Sequence, residues 1–404
     1  MSRRGPFALC LLLLAACERN SPPPAPSVPD AGTASVTAPT PGPVSPPPAA
    51  AASVPEPLVP CRSGSTPPLD AALDYLDDGK YAQALSCAAQ ASALEPDSAA
   101  AHAARGEALA SLNRTAEAQV AYARALAIEP GNPDALLGAA HLYAVQLPSS
   151  REYDELGALY AERGLSHPGV SPEMMPRFAL VAAMALNDLG QAAEALQRAQ
   201  LVLAREPKNH EALYEKALAL FELCRFAEAK GAFTGLVNDP ERGAHAHYHL
   251  GLLLEREGKW KEAQEHFDKA HALSPEDFPV PPTPTEAEFR DDVARAVAAL
   301  PEDMRKDLNG IPVRAEELPA NDDLLSGEPP LSPAILGLFR GPPLNEPCDG
   351  SENPCRSVAL YRLNLARAVR TREELREQIK VTLLHEVGHL RGEDDQELAA
   401  RGLE

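Results

Sequence analysis

The spacing of one group of residues limits the architecture of this chain more than any other feature. Pro96 and Pro130 stand 34 residues apart, and each closes a run ending Glu-Pro. Between them Gly106, Ala118, Tyr122 and Ala125 recur at fixed offsets, and Leu250, Gly251, Ala263, Phe267, Ala270 and Pro275 repeat the arrangement. Partial copies are Tyr75, Ala84 and Ala91 before Pro96, Ala195 before Pro207, and Ala229 with Phe233 before Pro240. A period of 33–35 residues describes a unit of two helices. Small residues let the two helices approach, an aromatic ring fills the gap between units, and proline ends the second helix. A single unit cannot bury its apolar face, so the units must stack.

These offsets resemble the tetratricopeptide repeat, which implies an α-solenoid over residues 65–278 with a protein or peptide partner held in its groove. Residues 131–169 read as a divergent unit with an insertion. "HAHYH" places His245 and His249 one helical turn apart, with His247 between them. No third ligand is in view and the positions fall on the first helix of a repeat, so they read as packing.

The N-terminus begins "MSRRGPFALCLLLLAAC". Arg3 and Arg4 precede a short apolar run that is too short to span a bilayer and has the form of an export signal. Leu14-Ala15-Ala16-Cys17 resembles the lipobox of bacterial lipoproteins. That implies lipidation at Cys17, a signal peptide over 1–17, and a chain anchored to a membrane in the cell envelope, facing the periplasm or exterior. Residues 18–64 are rich in Pro and Ala and poor in charge, and cannot bury a core. At about 3.1 Å per residue, such a tether reaches on the order of 100 Å. The formal charge of −21 excludes a nucleic-acid partner, whose phosphates need a basic footprint.

Export permits disulfides. Cys348 and Cys355 bracket the turn-rich "DGSENP" and form the expected pair; Cys61 with Cys87 is a further possible pair, and Cys224 reads as a buried small apolar residue.

"PVPPTPT" (279–285) marks a linker, because proline cannot continue a helix. The remaining segment, 286–404, is long enough for one small domain. Its pattern predicts a helix over 286–308 broken near Pro301, short strands in "GIPVRAEE" and "AILGLFRG", and a strand in the alternating "SVALYRLNL". A long helix then starts at Thr371, with Glu374 completing a capping box, and ends at Gly392. Its core stripe is Leu375, Ile379, Leu383, Val387 and Leu390.

Within this helix lies "HEVGH". His385 and His389 are one turn apart, so both imidazoles project from one face toward a single ion, and Glu386 beside them can hold a water. The chain continues to Gly392 and Asp395, giving His-Glu-x-x-His-x-x-Gly-x-x-Asp. Glycine permits a sharp reversal, and the spacing favours Asp395 over Asp394 as the third ligand. Successive blocks, "EFRDDVARAVAALPEDMRKDLNGIPVRAEE", "ILGLFRGPPL", "SVALYRLNL" and "REELREQIKVTLLHEVGHLRGEDDQELAARGL", are similar to those of the minimal zincin-like metallopeptidases. This resemblance implies a small α+β domain, Zn²⁺ held by His385, His389 and Asp395, and Glu386 as the catalytic base. It departs from the family at "PCDGSENPC". Tyr361 or Arg362 is a candidate for oxyanion stabilisation, and the strand "SVALYRLNL" a candidate open edge for substrate.

The expected architecture is mainly α, a tetratricopeptide-repeat solenoid followed by a small α+β zincin-like domain. The expected activity is hydrolysis of peptide bonds by an anchored, extracytoplasmic zinc enzyme whose repeats recruit a protein. The alternative is a scaffold lipoprotein acting through its repeats, with a structural or inactive zinc domain. Glu386 discriminates, because a purely structural site has no need of a carboxylate beside its first histidine.

Overall fold

The structure, a computed structural model, describes residues 60–403 apart from 63, 349 and 351–353. The expected export signal, the expected lipidation site Cys17 and nearly all of the expected tether lie outside the described residues.

Twelve helices come first, in six antiparallel pairs: α1 (Pro68–Asp77) with α2 (Tyr81–Leu94), α3 (Ala99–Ser111) with α4 (Thr115–Ile128), and α5 (Pro133–His141) with α6 (Arg151–Ser166). α7 (Met175–Asp188) pairs with α8 (Ala192–Arg205), α9 (His210–Glu222) with α10 (Phe226–Thr234), and α11 (Gly243–Arg256) with α12 (Trp260–Leu273). The divergent unit carries its additional residues as a π-helical turn, Leu142–Gln146, between α5 and the loop before α6. First helices of successive units touch one another from α1 through α9, whereas second helices are held mainly by first helices. This crowding puts the first helices on the inner side of the curve.

The repeat residues pack as their spacing requires. Tyr122 is buried, and its ring lies where a Cβ would project from Gly106 and from Gly138 of the next unit, at 2.6 Å and 2.4 Å. Phe267 crowds Gly251 in the same way, at 2.5 Å. The histidines of "HAHYH" are packing residues too. His249 stacks on Phe233 with centroids 4.6 Å apart, donates from Nδ1 to the His245 carbonyl, and is pushed down to about 4 by burial. His247 faces His266. Cys61–Cys87 is a disulfide tying the entry segment to α2.

The C-terminal domain runs α13 (Glu286–Ala299), α14 (Glu302–Asp307), β1 (Val313–Glu316), α15 (Asn321–Leu324), β2 (Gly337–Arg340), β3 (Ser357–Tyr361), α16 (Arg362–Arg367), α17 (Arg372–Arg391) and α18 (Asp395–Ala400). The expected break near Pro301 separates α13 from α14. The sheet order is β1-β3-β2, with β1 parallel and β2 antiparallel to β3. This corrects the expectation for "SVALYRLNL". Its strand stops at Tyr361, every residue of it is buried, and it is the central strand, so its edges are already paired. Arg362 opens a helix instead.

α17 crosses this sheet. The capping box of Thr371 and Glu374 starts it, and Gly392, at φ 91°, ends it. Leu375, Ile379, Leu383, Val387 and Leu390 are fully buried against Phe289, Val293, Val358 and Leu360. Each such side chain contributes roughly 1.5–3 kcal/mol relative to exposure. Asp292 of α13 is buried and accepts from Arg372 and Arg376, which locks α13 against α17.

The domain rests on the last repeats. Arg367 pairs with Glu255 and lies over the Phe267 ring; Arg256 donates to the Pro319 carbonyl and to Asn321. Cys224 is half-buried and packs beside Leu331, donating to its carbonyl at 3.7 Å.

The glycine notches predict a graded response. Gly138→Ala should destabilise the repeats by roughly 1–3 kcal/mol, because a methyl group has no space against Tyr122. Gly231→Ala, where a Cβ meets nothing, should be neutral or slightly stabilising. Urea unfolding followed by circular dichroism would compare them.

Candidate metal centre

The motif histidines sit on the last two turns of α17, where the helix fixes their spacing and the core stripe fixes their direction. His385 and Glu386 are buried and His389 is nearly so. His385 Nε2 and His389 Nε2 are 2.9 Å apart. After Gly392 the chain reverses, Asp394 caps α18 by a capping box with Glu397, and Asp395 faces the histidines. Its Oδ1 lies 3.4 Å from His385 Nε2 and 3.2 Å from His389 Nε2. Asp394 is occupied as the cap, which explains in physical terms why its neighbour is the one that turns inward.

The Nδ1 atoms settle the tautomers. His385 Nδ1 lies 2.7 Å from the Leu403 carbonyl and His389 Nδ1 3.0 Å from the Glu393 carbonyl. A carbonyl only accepts, so each Nδ1 is the donor. In the neutral imidazoles, each Nε2 then presents a lone pair. Two such lone pairs and a carboxylate oxygen converge within 3.4 Å of one another. That arrangement is repulsive unless a proton or a cation lies between them. Tetrahedral zinc, with ligands at about 2.0–2.1 Å, separates its donors by about 3.3 Å, so the three atoms fit that ion. Among the described residues this is the group of three or more His, Cys, Asp or Glu able to hold one.

Electrostatics agree with the donor set. Burial pushes Asp395 up, but hydrogen bonds and charge from His385 and His389 outweigh it and hold its carboxyl well below the usual range. Burial pushes both imidazoles down, yet Asp395 and Glu386 more than compensate, leaving each raised. Burial raises Glu386, which accepts a hydrogen bond from the Phe339 amide of β2. A Cβ at Gly337 would stand 2.8 Å from Glu386 Oε1 and 2.7 Å from Thr382 Cγ2, so only glycine lets β2 lie this close to the glutamate. Sequence reading missed Gly337 and Phe339, because the approach of strand to helix has no local signature.

Tyr361 lies near the site, where burial, with a smaller contribution from the Glu386 carboxylate, raises its phenol, whereas Arg362 turns to other partners. Tyr361 has no accessible surface, and its hydroxyl lies 3.4 Å from Arg340 Nη2. In this conformation the phenol has no free surface to offer a substrate oxyanion. Arg362 is committed to Glu317 and the Pro284 carbonyl. Cys348 and Cys355 are disulfide-bonded. The loop before them docks on the end of α17, where Leu344 donates to the Leu390 carbonyl and Arg356 gathers the carbonyls of Pro342, Pro343 and Glu346.

Residues 308–403 match the family model of the zincin-like metallopeptidases, and residues 69–144, 180–235 and 244–277 match models of the tetratricopeptide repeat. The chain therefore carries tetratricopeptide repeats followed by a C-terminal zincin-like metallopeptidase domain. No curated protein matches it. Among solved structures it is similar to YrrB, described as a TPR protein with an unusual peptide-binding site, at 21% identity over 46% of this chain and 92% of that one (TM-score 0.39). It is similar to the type IV pilus biogenesis factor PilW at 20% identity over 52% and 92% (TM-score 0.42). It is also similar to Pseudomonas aeruginosa pilF at 18% identity over 56% and 96% (TM-score 0.42).

Metal affinity should depend on pH with a definite sign. Both imidazoles are raised, so protons compete for the site at neutral pH and below. The stabilisation of the metal-free protein by imidazolium–Asp395 contacts is complete below the ordinary histidine range and is lost as pH rises through the raised values. Added zinc should therefore raise the melting temperature little near pH 5.5 and increasingly up to about pH 8. A zinc-induced shift that stays constant over this range would contradict the assignment.

Proposed function

We propose that this protein is a zinc-dependent peptidase, anchored by lipid at Cys17 in the bacterial cell envelope and facing the periplasm or exterior. Its repeats recruit the protein or peptide on which it acts. The observation that carries the reading is Glu386, a buried carboxylate held beside a three-donor cluster without being one of the donors. A closed structural zinc site has four protein ligands, whereas a hydrolytic one keeps a position open. The fit of His385, His389 and Asp395 to that ion supports the cofactor.

Zinc, when bound, supplies Lewis acidity toward a carbonyl oxygen and acidifies water. The residues do the rest. Glu386, raised by burial, takes a proton from the attacking water and returns it to the leaving amine. The Phe339 amide holds this carboxylate in place, and the tight packing of Gly337 prevents it from swinging away. β2 is the outer strand beside Glu386, so an extended substrate would lie along β2 rather than along the central β3. The Arg367–Glu255 pair and the bonds from Arg256 to Pro319 and Asn321 hold the metal centre at a fixed distance from any cargo bound on the inner helices.

The scaffold alternative separates cleanly from this proposal. Glu386→Gln should keep about one zinc per chain and lose at least about 10²-fold in cleavage of a peptide library. His385→Ala should lose both zinc and cleavage. Zinc retained in Glu386→Gln with no cleavage by the unaltered protein would instead favour the scaffold. Gly337→Ala, which pushes on Glu386 and not on the donors, should lower turnover more than it lowers zinc content. The acid limb of the rate profile should lie above the ordinary carboxylate range.

A further inference from the structure

Both motif histidines donate Nδ1 to a backbone carbonyl, and in both cases that carbonyl belongs to the residue after a glycine with positive φ. Gly392, at 91°, precedes Glu393, which serves His389; Gly402, at 72°, precedes Leu403, which serves His385. The first glycine belongs to the spaced motif. The second lies ten residues beyond it. We infer that the turn at Gly402 is a working part of the metal centre, positioning His385 by delivering the Leu403 carbonyl to its Nδ1. This rests on the zinc reading above and adds a residue to it.

Three features hold the turn. Leu398 of α18 is fully buried in a notch over the motif helix, where a Cβ at Gly388 would stand 2.2 Å from its Cδ2. The amides of Arg401 and Leu403 both donate to the Leu398 carbonyl, at 3.0 Å and 3.1 Å, and Gly402 donates to Ala399 at 2.9 Å. These bonds close the end of α18 and require a left-handed residue at 402, where a branched side chain is strongly disfavoured. The result aims one carbonyl across 18 residues of sequence at His385. A histidine whose Nδ1 proton is held in this way offers Nε2 to a cation, and its ring cannot rotate without breaking the bond.

Without the Leu403 carbonyl, His385 has only Asp395 and its helix to orient it. Either nitrogen can then carry the proton, and the fraction of chains with Nε2 free falls. Gly402 is therefore a positioning residue and not a ligand.

The test uses the full chain and zinc alone. Zinc affinity is measured by competition with a chromophoric chelator for the unaltered protein, Gly402→Val, a chain lacking residues 402–404, and Gly258→Val. Gly258 caps α11 at φ 72° with nothing near its Cβ position, so its variant reports the general cost of losing a left-handed cap. Both changes at 402 should weaken zinc binding by about 10- to 100-fold, while Gly258→Val leaves it unchanged. Long-range proton–nitrogen spectra of the metal-free protein should show His385 protonated at Nδ1 in the unaltered chain and mixed between nitrogens in the 402 variants. Equal zinc affinity in all four proteins would overturn the inference while leaving the metal centre standing. Failure of the unaltered chain to bind zinc would overturn both. Loss of the thermal transition in both 402 variants would also overturn it, by making the turn a general folding element.

Discussion

Two donors of the cluster come from one turn of helix, but the third reaches them only because the chain reverses at Gly392. A residue with a Cβ resists that left-handed conformation. If the helix continued for even one more turn, Asp395 would be carried away along its axis at about 1.5 Å per residue. The reversal also turns the Glu393 carbonyl back to His389 and frees Asp394 to cap α18. The placing of Asp395, the tautomer of His389 and the start of α18 therefore follow from one backbone torsion.

The rest of the domain supplies rigidity around that torsion. The buried stripe of α17 fixes its rotation, Asp292 bridges it to α13, and the close approach of Gly337 sets Glu386 against β2. Glycine acts here through what it lacks: at 337, as at 106, 138 and 251, the missing side chain is space that a neighbour fills. The repeats and the metal domain use the same physical device for different ends. In the repeats it closes helices on a ring, and in the domain it closes a strand on a carboxylate.

The motif helix was legible because its signals are local. Caps, stripe and histidine pair are all matters of spacing within a few turns. The repeats were legible for the same reason, repeated at a fixed period. The strand in "SVALYRLNL" was misread beyond Tyr361. The strand is central and buried on both sides, so it has no open edge for substrate, and alternation on such a strand carries no information about exposure.

Sequence alone determined the elements whose energetics depend on near neighbours: the helix pairs, the broken helix at Pro301, the capped motif helix, and the identity of the three converging donors. Tertiary structure decided what depends on partners distant in the chain. It made β2 and not β3 the outer strand, put the Phe339 amide on Glu386, and aimed the Leu403 carbonyl at His385. The reason is physical. A helix satisfies its backbone within four residues and announces itself by its period, whereas a strand edge or a free carbonyl is satisfied by whatever the fold brings to it.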